Sequence, residues 1–169
     1  MKKILLLFIA ISITACGAYN FYTRSNPHLE SIMITEFANN SEEYEMPDLT
    51  EEYLIQEIID DDRLEVKGDN ADIEVTGTVR SYKREVYAYD EQENPLQWRI
   101  TVVFSIKIQD MVKDETIWEN KNLSLQQLYN EADANNTGQG VEIYSEEEAR
   151  IEIVKDLADQ ILTNTLEQW

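Results

Sequence analysis

The sequence predicts an α+β domain in which two helices pack on one face of a mostly antiparallel sheet of four to five strands. Three observations carry that expectation. Residues 73–80 and 98–108 alternate apolar and polar side chains strictly, so they read as half-buried strands joined in a hairpin. Two other segments repeat apolar residues at helical spacing, each with one apolar face. The chain has 169 residues, enough for one ordinary core and short for two.

The N-terminus opens with Lys2 and Lys3, then the apolar run Ile4-Leu5-Leu6-Leu7-Phe8-Ile9-Ala10-Ile11, then Ile13-Thr14-Ala15-Cys16. Two lysines before a short apolar run make a secretory signal. The run is too short for a bilayer-spanning helix, which takes roughly 20 residues. Its end resembles the bacterial lipobox, an aliphatic residue and two small ones before a cysteine. That resemblance implies cleavage before Cys16 and lipidation of Cys16, with residues 1–15 as signal, 16–28 as a lipidated tether and 29–169 as a single domain. Several acyl chains hold a protein on a membrane where one is marginal. Gly17 follows instead of the inner-membrane retention aspartate of enteric bacteria, so the default address is the outer membrane, on its periplasmic side.

Residues 29–37, with Ile32, Ile34 and Phe37 among polar neighbours, predict a short strand. Residues 38–47 predict a loop, since Asn39, Asn40, Ser41 and Pro47 favour turns. Asp48 is expected to cap a helix running to about Asp60, with Glu51 in capping-box position. Its Leu54/Ile58 and Ile55/Ile59 pairs form the expected apolar face, and Asp60-Asp61-Asp62 terminates it against the helix dipole. A brief strand at 64–66 and a turn at 67–70 follow.

In the alternating run Ile73–Arg80, Gly77 falls on the buried side. From Ser81 the phase slips, so that Tyr82, Val86 and Ala88 share a face, which predicts a bulge. Residues 90–95 turn the chain into the long strand around Trp98, Ile100, Val102, Phe104, Ile106 and Ile108. A further strand at 116–125 extends the meander after the Lys113-Asp114-Glu115 turn. Residues 130–144, with two glycines and three asparagines, predict an exposed loop. Ser145 and Glu148 then make a capping box for a helix carrying Ala149, Val154, Leu157, Ala158, Ile161, Leu162 and Leu166 on one stripe.

Composition excludes several functions. Lys and Arg total 14 against 34 Asp and Glu, a formal charge of −20, which argues against nucleic acid and against adsorption on anionic lipid. One cysteine and one histidine rule out a disulfide framework and a multi-imidazole zinc site. The acidic clusters lack the interleaved spacing and glycine of a calcium loop, and the five glycines form no phosphate loop. No metal, no cofactor and no enzyme is expected.

The basic residues are scarce, and Arg80, Lys83 and Arg84 fall within five positions, with Arg99 set to face them across the hairpin. Cross-strand pairing with Glu85, Asp90 or Glu91 is one reading. A local site for a lipid phosphate or an acidic partner loop is the other.

Taken in order, these pieces resemble the LptE family of lipopolysaccharide-assembly lipoproteins, most closely its non-enteric, Bacteroidetes-type members. The resemblance runs from Cys16-Gly17-Ala18-Tyr19-Asn20-Phe21 through Phe37-Ala38-Asn39-Asn40-Ser41 and Asp62-Arg63-Leu64-Glu65-Val66. It continues with Ala71-Asp72-Ile73-Glu74-Val75-Thr76-Gly77, Ser81-Tyr82-Lys83-Arg84-Glu85 and Ile117-Trp118-Glu119-Asn120. It implies an LptE-like α/β sandwich seated in the lumen of an LptD-type outer-membrane β-barrel, as plug, assembly partner and lipopolysaccharide receptor, catalysing nothing. It also makes Arg80, Lys83, Arg84 and Arg99 the candidate lipopolysaccharide or partner contacts. The alternative is a periplasm-facing lipoprotein that binds a small ligand or ion, and an undetected hydrolase is a third reading.

Overall fold

The computed structural model describes residues 27–130 and 145–167. The signal segment, Cys16 and residues 131–144 of the expected loop lie outside them. The elements in chain order are β1 (Ser31–Ile34), β2 (Ala38–Asn39), α1 (Met46–Asp61), β3 (Glu65–Val66), β4 (Ile73–Tyr89), β5 (Pro95–Asp110), β6 (Glu115–Asn130) and α2 (Glu146–Leu166). Two helices on one face of a mixed, mostly antiparallel sheet is the expected α+β architecture.

Among the described residues the sheet has six strands, ordered β3-β1-β4-β5-β6 with β2 also beside β4, rather than four to five. The additional strand is β2, whose two residues are too few to leave a period in the sequence, whereas β3 answers to the brief strand expected at 64–66. The strand predicted over 29–37 is shorter, β1 at Ser31–Ile34, and β2 falls at the start of the segment predicted as a loop, where Ala38 and Asn39 pair with Thr78 and Val79 of β4. β1 pairs in parallel with β3 and β4, and β2 runs parallel to β4, while β4, β5 and β6 form the antiparallel meander.

The alternating segments behave as expected. Ile73, Val75 and Val79 of β4 are fully buried, as are Ile100, Val102, Phe104, Ile106 and Ile108 of β5. The register shifts between Val79 and Ser81, where the phase slips in sequence. A second irregularity between Val86 and Ala88 sets Ala88 opposite Gln97. Ala88 therefore leaves the face it was expected to share with Tyr82 and Val86. β6 continues past Leu125 to Asn130, because pairing with Gln97, Trp98 and Arg99 of β5 satisfies its backbone to the end.

Helix α1 starts at Met46, with Glu45 as N-cap and Pro47 in its first turn, not at Asp48. Proline costs nothing there, since its missing N–H has no intrahelical partner in any case. The buried stripe is Met46, Thr50, Leu54 and Ile58. Ile59 lies outside it at 51% exposure, because α1 rests mainly on α2 and needs only a narrow seam. The acidic run ends the helix as expected, with Asp62 in the left-handed region at φ 59°. Arg63 then holds Asp61 at 2.6 Å and Glu167 of the α2 terminus at 3.0 Å. Ser145 caps α2, its Oγ accepting from the Glu148 N–H at 3.1 Å, and three glutamates fill the first turn, where the helix dipole favours them.

A reciprocal clasp closes the end of the sheet where β1 begins. The Asp72 carboxylate accepts from the N–H of Glu30 (3.1 Å) and of Ser31 (2.9 Å) and from the Ser31 hydroxyl (2.7 Å), while the Asp72 N–H donates back to that hydroxyl. The Ser31 hydroxyl bond, then the Glu30 bond, hold this carboxyl below its ordinary range. A depressed acid adds stability above its unfolded value and loses it as pH falls through the folded one. Asp72→Ala leaves the buried Ser31 donors unpaired and is expected to cost about 1–3 kcal/mol. Urea unfolding checks this, and the deficit should shrink below pH 4 as the native carboxylate titrates.

Candidate functional site

The helices do not cover the whole sheet. Strand β4, with 17 residues, runs about 55 Å at roughly 3.3 Å per residue, whereas α2, with 21 residues, runs about 31 Å. The C-terminal end of α2 lies beside Arg63, and its N-terminal end meets the sheet at Tyr82 and Tyr129. Past that level the β4–β5 ribbon projects beyond the helix layer, carrying the exposed Tyr87 and Tyr89.

Where ribbon and helix layer meet lies a half-buried polar network. The Tyr82 hydroxyl donates to Glu146 Oε1 (2.6 Å) and accepts from Arg150 Nε (3.1 Å), and Arg150 also reaches Glu146 (2.9 Å), Glu43 (3.4 Å) and Glu45 (3.5 Å). Beside it, the Arg84 guanidinium lies 3.9 Å from the centre of the Trp98 ring, donates to the Tyr129 hydroxyl and pairs with Glu146 Oε2 at 3.3 Å. Burial and then the Glu146 bond push the Tyr82 phenol up. Burial and the charge of Glu146 push Tyr129 up to about 12. Burial opposes the charge on Glu146, but hydrogen bonds from Tyr82 and Arg150 outweigh it and keep the carboxyl below its ordinary value. This is a structural lock: every charge in it already has an opposite charge or a hydroxyl beside it.

The four candidate contacts are divided between the two sheet faces. Arg84 stands opposite Ile100, on the helix side. Lys83 pairs with Thr101, and Glu85 with Arg99, on the open side. There Lys83 and Arg99 both bind Glu85, whose carboxyl is pushed down to about 2 by the Lys83 bond and then by Arg99, and Arg99 also lies 5.5 Å from the Tyr87 ring centre. Arg80 is the additional residue at the Val79/Ser81 bulge and is exposed, with no ion pair among the described residues. Cross-strand pairing thus accounts for Arg99 through Glu85, Lys83 reaches the same carboxylate along its own strand, and Asp90 instead closes the hairpin turn by accepting from the N–H groups of Gln92 and Asn94.

The open face has a character that the sequence reading did not anticipate. Lys83, Arg99, Lys107 and Lys121 lie on it with Glu74, Glu85 and Glu119, set among Thr76, Thr78, Thr101, Val103, Ser105 and Ser124. Its charges nearly cancel in a chain of net −20. The acid is concentrated on the helices and connections. Arg150 was missed as well, because in sequence its spacing from Glu146 resembles an ordinary surface pair. Among the described residues no group of three or more acidic, histidine or cysteine side chains is placed to hold a metal, and no helix there is long and apolar enough to cross a membrane.

A family model described as LptE, lipopolysaccharide-assembly, matches residues 29–165. No curated protein matches the chain. Among solved structures, the hypothetical protein CT253 from Chlamydia trachomatis superposes with a TM-score of 0.59 at 7% identity, over 82% of this chain and 99% of that one, a likeness of fold alone. Lipoprotein GNA1162 from Neisseria meningitidis gives 0.43 at 13% identity, covering 79% and 99%. Uncharacterized lipoprotein B from Nitrosomonas europaea gives 0.46 at 16%, covering 79% and 80%.

Proposed function

The chain belongs to the LptE lipopolysaccharide-assembly family, and from that premise we propose that it is an outer-membrane lipoprotein that plugs and helps assemble an LptD-type β-barrel. The family is non-enzymatic and is associated with lipopolysaccharide assembly at the outer membrane. The finer reading adds a signal over residues 1–15, a lipid anchor at Cys16 on the periplasmic side, the barrel as partner, and kinship with the non-enteric, Bacteroidetes-type members. The observation that carries it is the open sheet face. A domain with helices on one side only leaves a broad, small-residue, nearly charge-neutral face for a large partner, while its acidic helix layer suits a lumen with basic walls. Arg80, Lys83 and Arg84 are the exposed members of the candidate set toward lipopolysaccharide or barrel, Arg84 from within its pairs; the half-buried Arg99 shapes the surface beside Glu85.

Affinity purification of the full-length lipoprotein from detergent-solubilised membranes tests this reading. The expected result is a stoichiometric outer-membrane barrel in the eluate, lost from the membrane pool when Cys16 is replaced by alanine. A monomer recovered alone from a lipidated preparation overturns it. In that case a screen of small ligands and ions for thermal stabilisation tests the alternative of a ligand-binding lipoprotein.

A further inference from the structure

An exposed sheet edge is a row of unpaired backbone donors and acceptors, and natural proteins blunt such edges with short strands, charges and bulges. Three of the four edge segments here are blunted. β3, on one flank, has two residues. The outer edge of β4 is covered by β1 and β2 as far as Val79, and beyond that it carries three register irregularities and the charged run Lys83-Arg84-Glu85. The first half of β6 carries two irregularities, Glu119 and Lys121.

The second half of β6 has none of these devices. Leu123 to Asn130 (LSLQQLYN) contains no charge, proline or glycine, and it pairs without interruption to β5 from Phe104 to Gln97. Its outer edge has no partner strand among the described residues. It is a regular template, open to partly open from Leu123 to Leu128 and buried at Tyr129 and Asn130, and it is paired to β5 on its other side.

We propose that this edge is a strand-addition site, and that its occupant is an extended, uncharged-to-basic segment of the outer-membrane barrel proposed above as partner; the proposal rests on that barrel-plug (translocon) reading. Charge selects the occupant. A second copy would bring two chains of net −20 edge to edge. Lipid cannot satisfy the backbone groups. At the far end of the edge, Tyr129 touches Glu146, so the added strand ends beside the acidic first turn of α2, where Glu146 is already paired within the lock but Glu147 and Glu148 are exposed, which favours basic residues in the occupant. Backbone pairing supplies the affinity and this flank the polarity of docking.

Proline at Ser124, Leu125, Gln126 and Gln127 in turn tests the edge, because neighbouring N–H groups point alternately toward β5 and outward. The inward pair should lower the thermal midpoint. The outward pair should keep it and yet lose the barrel from the affinity eluate. Amide hydrogen exchange on the unmodified complex is the companion measurement, with the outward amides of residues 123–128 protected only when the barrel is present. Outward prolines that retain the barrel, or amides that exchange equally with and without it, overturn the edge and leave the translocon reading intact. A wild-type eluate without a barrel overturns both.

Discussion

Gly77→Ala lowers stability by about 1–3 kcal/mol, the range for overfilling a packed core, and Gly77→Val lowers it further. A Cβ built on Gly77 would stand 2.1, 2.3 and 2.5 Å from three atoms of the Phe37 ring, far inside contact distance. The ring has little room to yield. Phe37 is 3% exposed, and its segment is tied to β4 on both sides, by Thr35 N–H to Val75 O at 3.0 Å and Asn40 N–H to Val79 O at 2.8 Å. Any retreat of the ring therefore loosens the parallel pairing of β2 with β4. The test is a double-mutant cycle in urea. Phe37→Leu alone costs stability by leaving a void, but in the Gly77→Ala background the smaller side chain admits the new methyl, so the two effects sum to less than their separate costs. Strict additivity, or a Gly77→Ala protein as stable as wild type, would show that the ring is not seated on this glycine.

Much of this was legible in the chain. Alternation placed Gly77 on the buried side of β4, and the phase slip at Ser81 located the bulge, because a one-residue shift moves every later side chain to the other face. The same slip puts Arg84 in phase with Tyr82 and Val86, so the division of the basic cluster was already implied by parity. Its reading as a single patch came from counting charges along the chain instead of across the sheet. The two-residue strand β2 could not be read, because two residues have no period and its pairing is parallel to a strand far off in sequence, whereas β3 was legible as the brief apolar stretch at 64–66. The start of α1 was missed because Pro47 favours turns and also the first turn of a helix. Tyr82 and Glu146 meet across 64 positions, a contact that no local pattern encodes.

Arg150 is the residue whose loss is expected to cost most outside the apolar core. Its side chain is 14% exposed, and it bridges three carboxylates from two segments, Glu43 and Glu45 before α1 and Glu146 on α2, while bonding the Tyr82 hydroxyl of β4. Burial alone would lower its pKa; the bonds to Tyr82 and Glu146 outweigh it and hold the guanidinium above its ordinary value. Arg150→Met keeps the packing volume but leaves Glu146 with only Arg84 as a cation and strands Glu43. Breaking a fully buried pair costs about 3–5 kcal/mol, and the partial exposure of the carboxylates here brings the expectation to roughly 2–3 kcal/mol. The pH dependence distinguishes charge from packing. With Arg150 present, the Glu146 carboxyl sits below its ordinary value, so its contribution is complete at neutral pH and is lost as pH falls through the folded value. In Arg150→Met that value rises toward the ordinary one, so the gap from wild type should be widest near pH 7 and narrow on acidification. A gap independent of pH would assign the cost to packing, and an unchanged midpoint would remove Arg150 from the lock. Lys83→Met, whose partner Glu85 is solvated on the open face, should leave both stability and its pH profile nearly as they are.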